Sequence, residues 1–132
     1  MDWEIEAAGL TALLVRIRDE YTTLPIYITE NGAAFNDYVD PNGQVLDGNR
    51  VAYLQEHISA VHDAISAGVN VQGYFVWSLL DNFEWAFGYS HRFGIVWVDF
   101  PTGTRLPKES FRWYRQLIAS NTVQYARSTG SD

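Results

Sequence analysis

The chain of 132 residues contains no cysteine, which excludes disulfides, thiolate zinc sites and thiol nucleophiles. Charge is scarce: Asp, Glu, Lys and Arg together make up 19% of the residues, below the ~25% usual for soluble domains. Basic residues are the scarcer sign, 9 against 16 acidic, for a formal net charge of −7. With no basic stripe to neutralise phosphates, the sequence argues against nucleic acid and against an anionic membrane surface. No uninterrupted apolar run approaches the ~18 residues of a membrane span. The opening Met1-Asp2-Trp3-Glu4-Ile5-Glu6 is acidic and lacks an apolar core, so no signal peptide is expected and a cytoplasmic protein is the default. Length alone rules out a complete eight-stranded α/β barrel, which needs ~250 residues.

What is present is apolar and aromatic. Hydrophobic residues reach 47% and aromatics 15%, a load that suits a core, an interface or a sugar-binding surface. Leu10, Leu13, Leu14 and Ile17 recur at helical spacing and predict an amphipathic helix over about 7–21. Thr22 to Pro25 breaks it, and Ile26–Thr29 reads as a short strand. From Asn31 to Asn49 the chain turns to Gly, Asn, Asp and Pro, a long surface loop of the kind that often carries function. A second helix is predicted over about 50–67, with Val51, Leu54, Ile58, Val61 and Ile65 as its stripe and Gly68 ending it. Val71–Trp77 is a nearly continuous apolar run, the pattern of a strand covered on both faces. A shorter strand follows at 94–98. The last helix is predicted over 107–119, with Pro107 in its first turn and Phe111, Tyr114, Leu117 and Ile118 inward. Alternating helices and strands imply parallel β-α-β units. Two main strands cannot close a barrel, so something must cover their edges.

Two segments could carry chemistry. Glu30 directly follows the first predicted strand, at the carboxyl end where parallel α/β folds collect catalytic groups. The alternative is a loop carboxylate in water. Trp77-Ser78-Leu79-Leu80-Asp81-Asn82-Phe83-Glu84-Trp85 follows the next strand. Carboxylates beside indole and phenyl rings build sugar sites: the rings pack on the C–H face of a pyranose while Glu accepts hydrogen bonds from its hydroxyls. The alternative is a core aromatic cluster in which Glu84 pairs with Arg92. Asp47, Arg50 and Asp99 read as salt-bridge or capping residues. His57 and His62 lie five apart on one helix, hence on different faces, and His91, in the strand-end loop, reads as a solvated loop residue, with a substrate contact as the alternative. No metal site and no cofactor are expected.

The run Ile28-Thr29-Glu30-Asn31-Gly32 resembles the nucleophile motif of glycoside hydrolase family 1, the β-glucosidase and β-galactosidase family. Trp77 to Trp85 is similar to its sugar-binding signature. Arg92-Phe93-Gly94-Ile95-Val96 with Val98-Asp99 resembles the following hairpin, and Pro107-Lys108-Glu109-Ser110-Phe111 the start of its last helix. Met1-Asp2-Trp3-Glu4-Ile5 is similar to a segment before the family's sixth barrel helix. The resemblance covers about residues 1–121 and leaves 122–132 as a polar, frayed tail. It implies an α/β fold, an incomplete (β/α)8 TIM-barrel segment carrying the last two parallel strands and their helices. It also implies a retaining β-glycosidase, β-glucosidase-like, acting on small β-glucosides or oligosaccharides. Glu30 would be the nucleophile; Glu84 would bind sugar hydroxyls with the Trp85 indole N–H beside it; Trp77 would be the platform under the ring and Phe93 part of the pocket wall.

The family's general acid/base lies in a Thr-x-Asn-Glu-Pro motif, and none occurs here. Losing a positioned acid/base costs about 10²–10⁴-fold. Turnover would then need a complementing barrel chain or a homo-oligomer, with Glu30, Glu84, Asp81 or a neighbour's group as acid; four copies would supply eight strands. The alternative is a catalytically silent sugar-binding remnant or one piece of a split barrel. The absence of a Ser-x-x-Lys pattern after Glu84 favours unphosphorylated sugars.

Overall fold

The computed structural model describes residues 3–123. In chain order the elements are helix α1 (Ala7–Glu20), strand β1 (Ile26–Asn31), helix α2 (Gly48–Ser66), strand β2 (Val71–Val76), strand β3 (Val96–Val98), strand β4 (Arg105–Pro107) and helix α3 (Glu109–Ser120), with one 3-10 turn at Trp85–Phe87. β1 and β2 pair in parallel, joined through α2, and β3 and β4 pair antiparallel. Most of the frayed tail expected from the sequence, 124–132, lies outside the described residues.

α2 is the centre of the packing. One end of it carries Val61 and Ala64 against Leu14 of α1 and Val69, with Ile26 and Ile28 of β1 and Val71 and Tyr74 of β2 packed around them. The other end carries Tyr53 and Leu54 against Ile95, with Phe35, Val76, Phe111 and Tyr114 alongside. The Thr11 hydroxyl donates to the Ala60 carbonyl (2.8 Å), tying α1 to α2. Gly68 stops α2 as expected: at φ 94° it adopts the left-handed conformation, and the next amide, of Val69, turns back to the Ala64 carbonyl at 3.0 Å.

Several expectations need correction. The second strand is not covered on both faces, since Phe75 is exposed on the side away from the helices. Leu13, Ile65 and Ile118, assigned to inward stripes, are also exposed. Periodicity locates a helix face, but a residue on its flank is buried only where a neighbouring element reaches it. Pro107 is not in the first turn of α3. It ends β4, paired with Val96, where its missing N–H is tolerated at a sheet edge, and Lys108 takes the N-cap position of the helix without a side-chain capping bond.

Candidate active site

Glu30 lies within β1, one residue before its end, and not in the loop after it. The pairing explains its orientation. Ile28 faces Tyr74 and Asn31 faces Val76, so three steps along β1 match two along β2. That extra residue is a β-bulge, and it breaks the alternation so that Thr29 and Glu30 are both exposed, on the face away from the helices. Among the described residues the Glu30 carboxylate makes no hydrogen bond or ion pair.

The bulge is clamped on its far side. The Asn31 carbonyl accepts the Trp77 N–H at 2.9 Å, and its side-chain oxygen accepts the Tyr74 hydroxyl at 2.7 Å. Burial pushes the Tyr74 hydroxyl far above its ordinary pKa, so it stays a donor. Gly32 then passes so close to Trp77 that a Cβ would stand 1.7 Å from the Trp77 carbonyl oxygen. Glu30 and Trp77 are therefore held on two strand ends locked together by Asn31 and Gly32.

Beyond Trp77, whose peptide bond to Ser78 is cis, the chain is pinned to the Phe93 segment. The Ser78 N–H donates to the Phe93 carbonyl (3.1 Å) and the Ile95 N–H to the Ser78 carbonyl (2.9 Å). Phe93 itself is only 4% exposed. Glu84 opens the 3-10 turn, its N–H donating to the Gly88 carbonyl at 2.6 Å. Its carboxylate is partly exposed and makes no ion pair among the described residues. Trp85 is 82% exposed, and Phe83, Phe87 and Tyr89 around it are exposed as well. The structure thus brings Glu30 and Trp77 to adjoining strand ends, sets Glu84 and Trp85 on the turn that follows, and buries Phe93. A cavity of about 510 Å³ is lined by Phe35, Asp37, Tyr38, Asp47 and Asn49 of the long 31–49 segment, together with His91.

The suggested Glu84–Arg92 pair does not form. Arg92 donates instead to Asp81 at 2.6 Å and to the Val98 carbonyl at 2.9 Å. Asp81 also takes Lys108 Nζ at 2.9 Å and the amides of Gly94 and Val98. Buried and engaged by two cations and two amides, the Asp81 carboxylate is not free to face a substrate, so Asp81 is removed from the candidate acids. Lys108 continues to Asp37, Asp37 to Arg50 (2.8 Å), and Arg50 to Asp47. Asp47 makes no capping bond at the start of α2; it accepts the amide (2.8 Å) and hydroxyl (2.6 Å) of Ser110 in α3. Three cations and three anions thus form one cage, balanced in charge, in which Arg50 and Lys108 are fully buried. The sequence marked Asp47 and Arg50 as salt-bridge or capping residues without naming partners, and did not mark Asp37, Asp81 and Lys108 as part of a buried cage. Lys108 is 71 residues from Asp37 and 27 from Asp81, so no local pattern joins them. Burial lowers the Lys108 pKa, as does the Arg50 charge, while the two carboxylates oppose the shift.

The Asp99 carboxylate accepts the Thr102 hydroxyl in its own turn. His57 sits buried with Nδ1 2.8 Å from the Tyr53 carbonyl, while His62 is exposed beside Asp63. Among the described residues no group of three or more His, Asp or Glu could hold a metal ion, and no helix is long and apolar enough to cross a membrane.

The sequence profile of glycosyl hydrolase family 1 matches residues 1–123. The chain is 51% identical over 124 residues to β-glucosidase A of Thermotoga maritima, covering 94% of this chain and 28% of that protein. It is 54% identical over 121 residues to the 1,4-β-D-glucan glucohydrolase of Thermotoga neapolitana, covering 92% and 27%. It is also 45% identical over 127 residues to a 6-phospho-β-galactosidase of Lacticaseibacillus rhamnosus. A solved structure of the family 1 β-glucosidase from T. maritima in complex with isofagomine lactam superposes with a TM-score of 0.91 at 51% identity, over 92% of this chain and 28% of that one. Those enzymes are TIM barrels, and the present fold is a partial α/β segment of one, spanning little more than a quarter of their length. The chain belongs to glycosyl hydrolase family 1.

Proposed function

We propose that this chain supplies the nucleophile and part of the sugar pocket of a retaining β-glycosidase that acts on unphosphorylated β-glucosides. The observation that carries the reading is the placement of Glu30: an exposed carboxylate on a bulge at the carboxyl end of a parallel strand, beside a clamped Trp77. A Glu30 oxygen attacks the anomeric carbon as the bond to the leaving oxygen breaks, giving a glycosyl-enzyme that water then hydrolyses. The leaving oxygen must gain a proton. Its donor belongs to a second carboxyl ~5–5.5 Å from Glu30, which we assign to barrel strands outside these 132 residues. Glu84 accepts hydrogen bonds from sugar hydroxyls, Trp85 donates through its indole N–H, and Trp77 lies under the ring, where its flat apolar face matches the C–H face of glucose. Phe93 supports that wall from within the packed interior.

A 2-deoxy-2-fluoro-β-glucosyl fluoride tests the nucleophile without an acid, because fluoride leaves unprotonated. Intact mass should show one covalent sugar, mapped to Glu30 and absent from Glu30→Gln. Cellobiose has a poor leaving group and should be cleaved only when a chain carrying the earlier barrel strands is added. Glucose binding without any labelling would instead identify a silent sugar-binding piece. The partly exposed Glu84 and largely exposed Trp85 are the features that favour that second reading.

A further inference from the structure

We propose that Lys108 is a positioning residue that yokes the loop following the nucleophile strand to the loop carrying Trp77 and Glu84, holding the two halves of the site in register. The purpose assigned to it rests on the reading of Glu30 and Glu84 above; the coupling itself does not.

Lys108 stands at the start of α3, outside both loops, and is fully buried. Its ammonium group reaches Asp37, seven residues beyond Glu30, and Asp81, three residues before Glu84. One cation thus touches both loops. Each carboxylate is already held on its own side: Asp37 by Arg50, and Asp81 by Arg92 and the amides of Gly94 and Val98. Among the described residues the Lys108 ammonium is the one cation that meets a carboxylate from each set, while Arg50 also donates to the Arg92 backbone carbonyl at 2.7 Å. A lysine suits the task, since its compact tetrahedral head can donate to carboxylates arriving from different directions, where a planar guanidinium favours one. Where the two loops meet, the Phe35 N–H donates to the Arg92 carbonyl at 3.2 Å, a bond that reports on their alignment.

Charge balance alone would also account for a buried lysine, and two variants separate the roles. In Lys108→Met the tether and the balance are both lost. In the double variant Asp37→Asn with Lys108→Met the cage returns to two cations and two anions, but the ammonium link between the loops stays absent and only the bonds to the Arg92 carbonyl remain. Amide hydrogen exchange on the 132-residue chain reads the outcome, comparing Phe35, Gly94 and Val98 with Leu54 to Ala64 of α2. In Lys108→Met the loop amides should exchange at least ~10-fold faster relative to α2. Lys108→Arg, which keeps the charge, should return part of that loss. In the double variant α2 should regain its protection while the loop amides stay fast. Unchanged loop exchange relative to α2 in Lys108→Met would overturn the proposal. So would a double variant that protects loops and α2 alike, since Lys108 would then only balance charge. Failure of both variants to fold would also count against it, because a tether between loops is dispensable to the α1–α2 core. Should the fluorinated glucoside fail to label Glu30 while these exchange patterns hold, the coupling stands and only its catalytic purpose falls.

Discussion

Gly32→Ala isolates the clamp between the two strand ends. The added Cβ would start 1.7 Å from the Trp77 carbonyl oxygen and must retreat beyond 3.0 Å. Gly32 does not occupy the left-handed region, so backbone strain adds nothing and the whole effect is steric. The obstacle is backbone, held by the Trp77 N–H to Asn31 carbonyl bond at 2.9 Å, and cannot swing aside as a side chain would. Overpacking of this kind costs about 1–3 kcal/mol, occasionally more, and such a contact falls at the upper end. In a domain of this size each kcal/mol moves the melting temperature by about 4 °C, so a drop of roughly 12 °C is expected. Gly43→Ala is the counterpart control. Gly43 sits at φ 78° with nothing within 4 Å, so its substitution measures backbone strain without a clash, about 1 kcal/mol or roughly 4 °C. Thermal unfolding followed by circular dichroism gives both values. Equal shifts for the two alanines, or none for Gly32→Ala, would refute the steric argument. The same substitution should slow labelling of Glu30 by about 10²-fold, since a displacement near 1 Å between reacting groups has that effect.

Other consequences are open to direct measurement. Asp81→Asn leaves Lys108 and Arg92 short of a buried anion and should destabilise the fold by about 3–5 kcal/mol in urea titrations, whereas Asp99→Asn, in an exposed turn, should cost under about 1 kcal/mol. Burial raises the pKa of Tyr53, Tyr74 and Tyr114, so above about pH 10 the unfolded chain sheds protons that the folded chain keeps, and stability falls as pH rises. Lys108 acts in the opposite sense: between its lowered folded value and 10.5 the unfolded chain binds the extra proton, and stability rises with pH. Melting temperatures from pH 8 to 11 should therefore turn downward past about pH 10, less steeply in Tyr74→Phe, which also loses about 1 kcal/mol at every pH with its bond to Asn31. Trp85→Phe removes an indole N–H from a largely exposed side chain; it should leave stability within about 0.5 kcal/mol and weaken glucose binding in a calorimetric titration.

The helices were legible because their apolar spacing is local: Leu10, Leu14 and Ile17 name the inner face of α1 without knowledge of its partner. The place of Glu30 near the carboxyl end of β1 was legible for a similar reason, since a carboxylate at the end of a β-rich run is a feature of neighbouring residues. The bulge was not. It exists only as a mismatch between β1 and β2, and neither strand alone records that three steps will face two. β4 escaped because Arg105-Leu106-Pro107 has no alternation and becomes a strand only by lying against Val96–Val98. The cage escaped for the most physical reason. Lys, Arg and Asp are read as solvent-facing, and their burial becomes tolerable only when all the partners arrive together from distant parts of the chain.

That cage constrains which sequences can neighbour this one. Replacing any single member by a neutral residue leaves a charge without its counterpart in the interior, so routes between viable sequences run through paired changes. Positions 37, 81 and 108 should therefore drift as a unit or not at all, while the exposed turn at 40–43 is free to vary one residue at a time. A library randomising the three positions together should return survivors whose charges sum to −1, the value that balances Arg50, Arg92 and Asp47, a selection rule set by electrostatics alone.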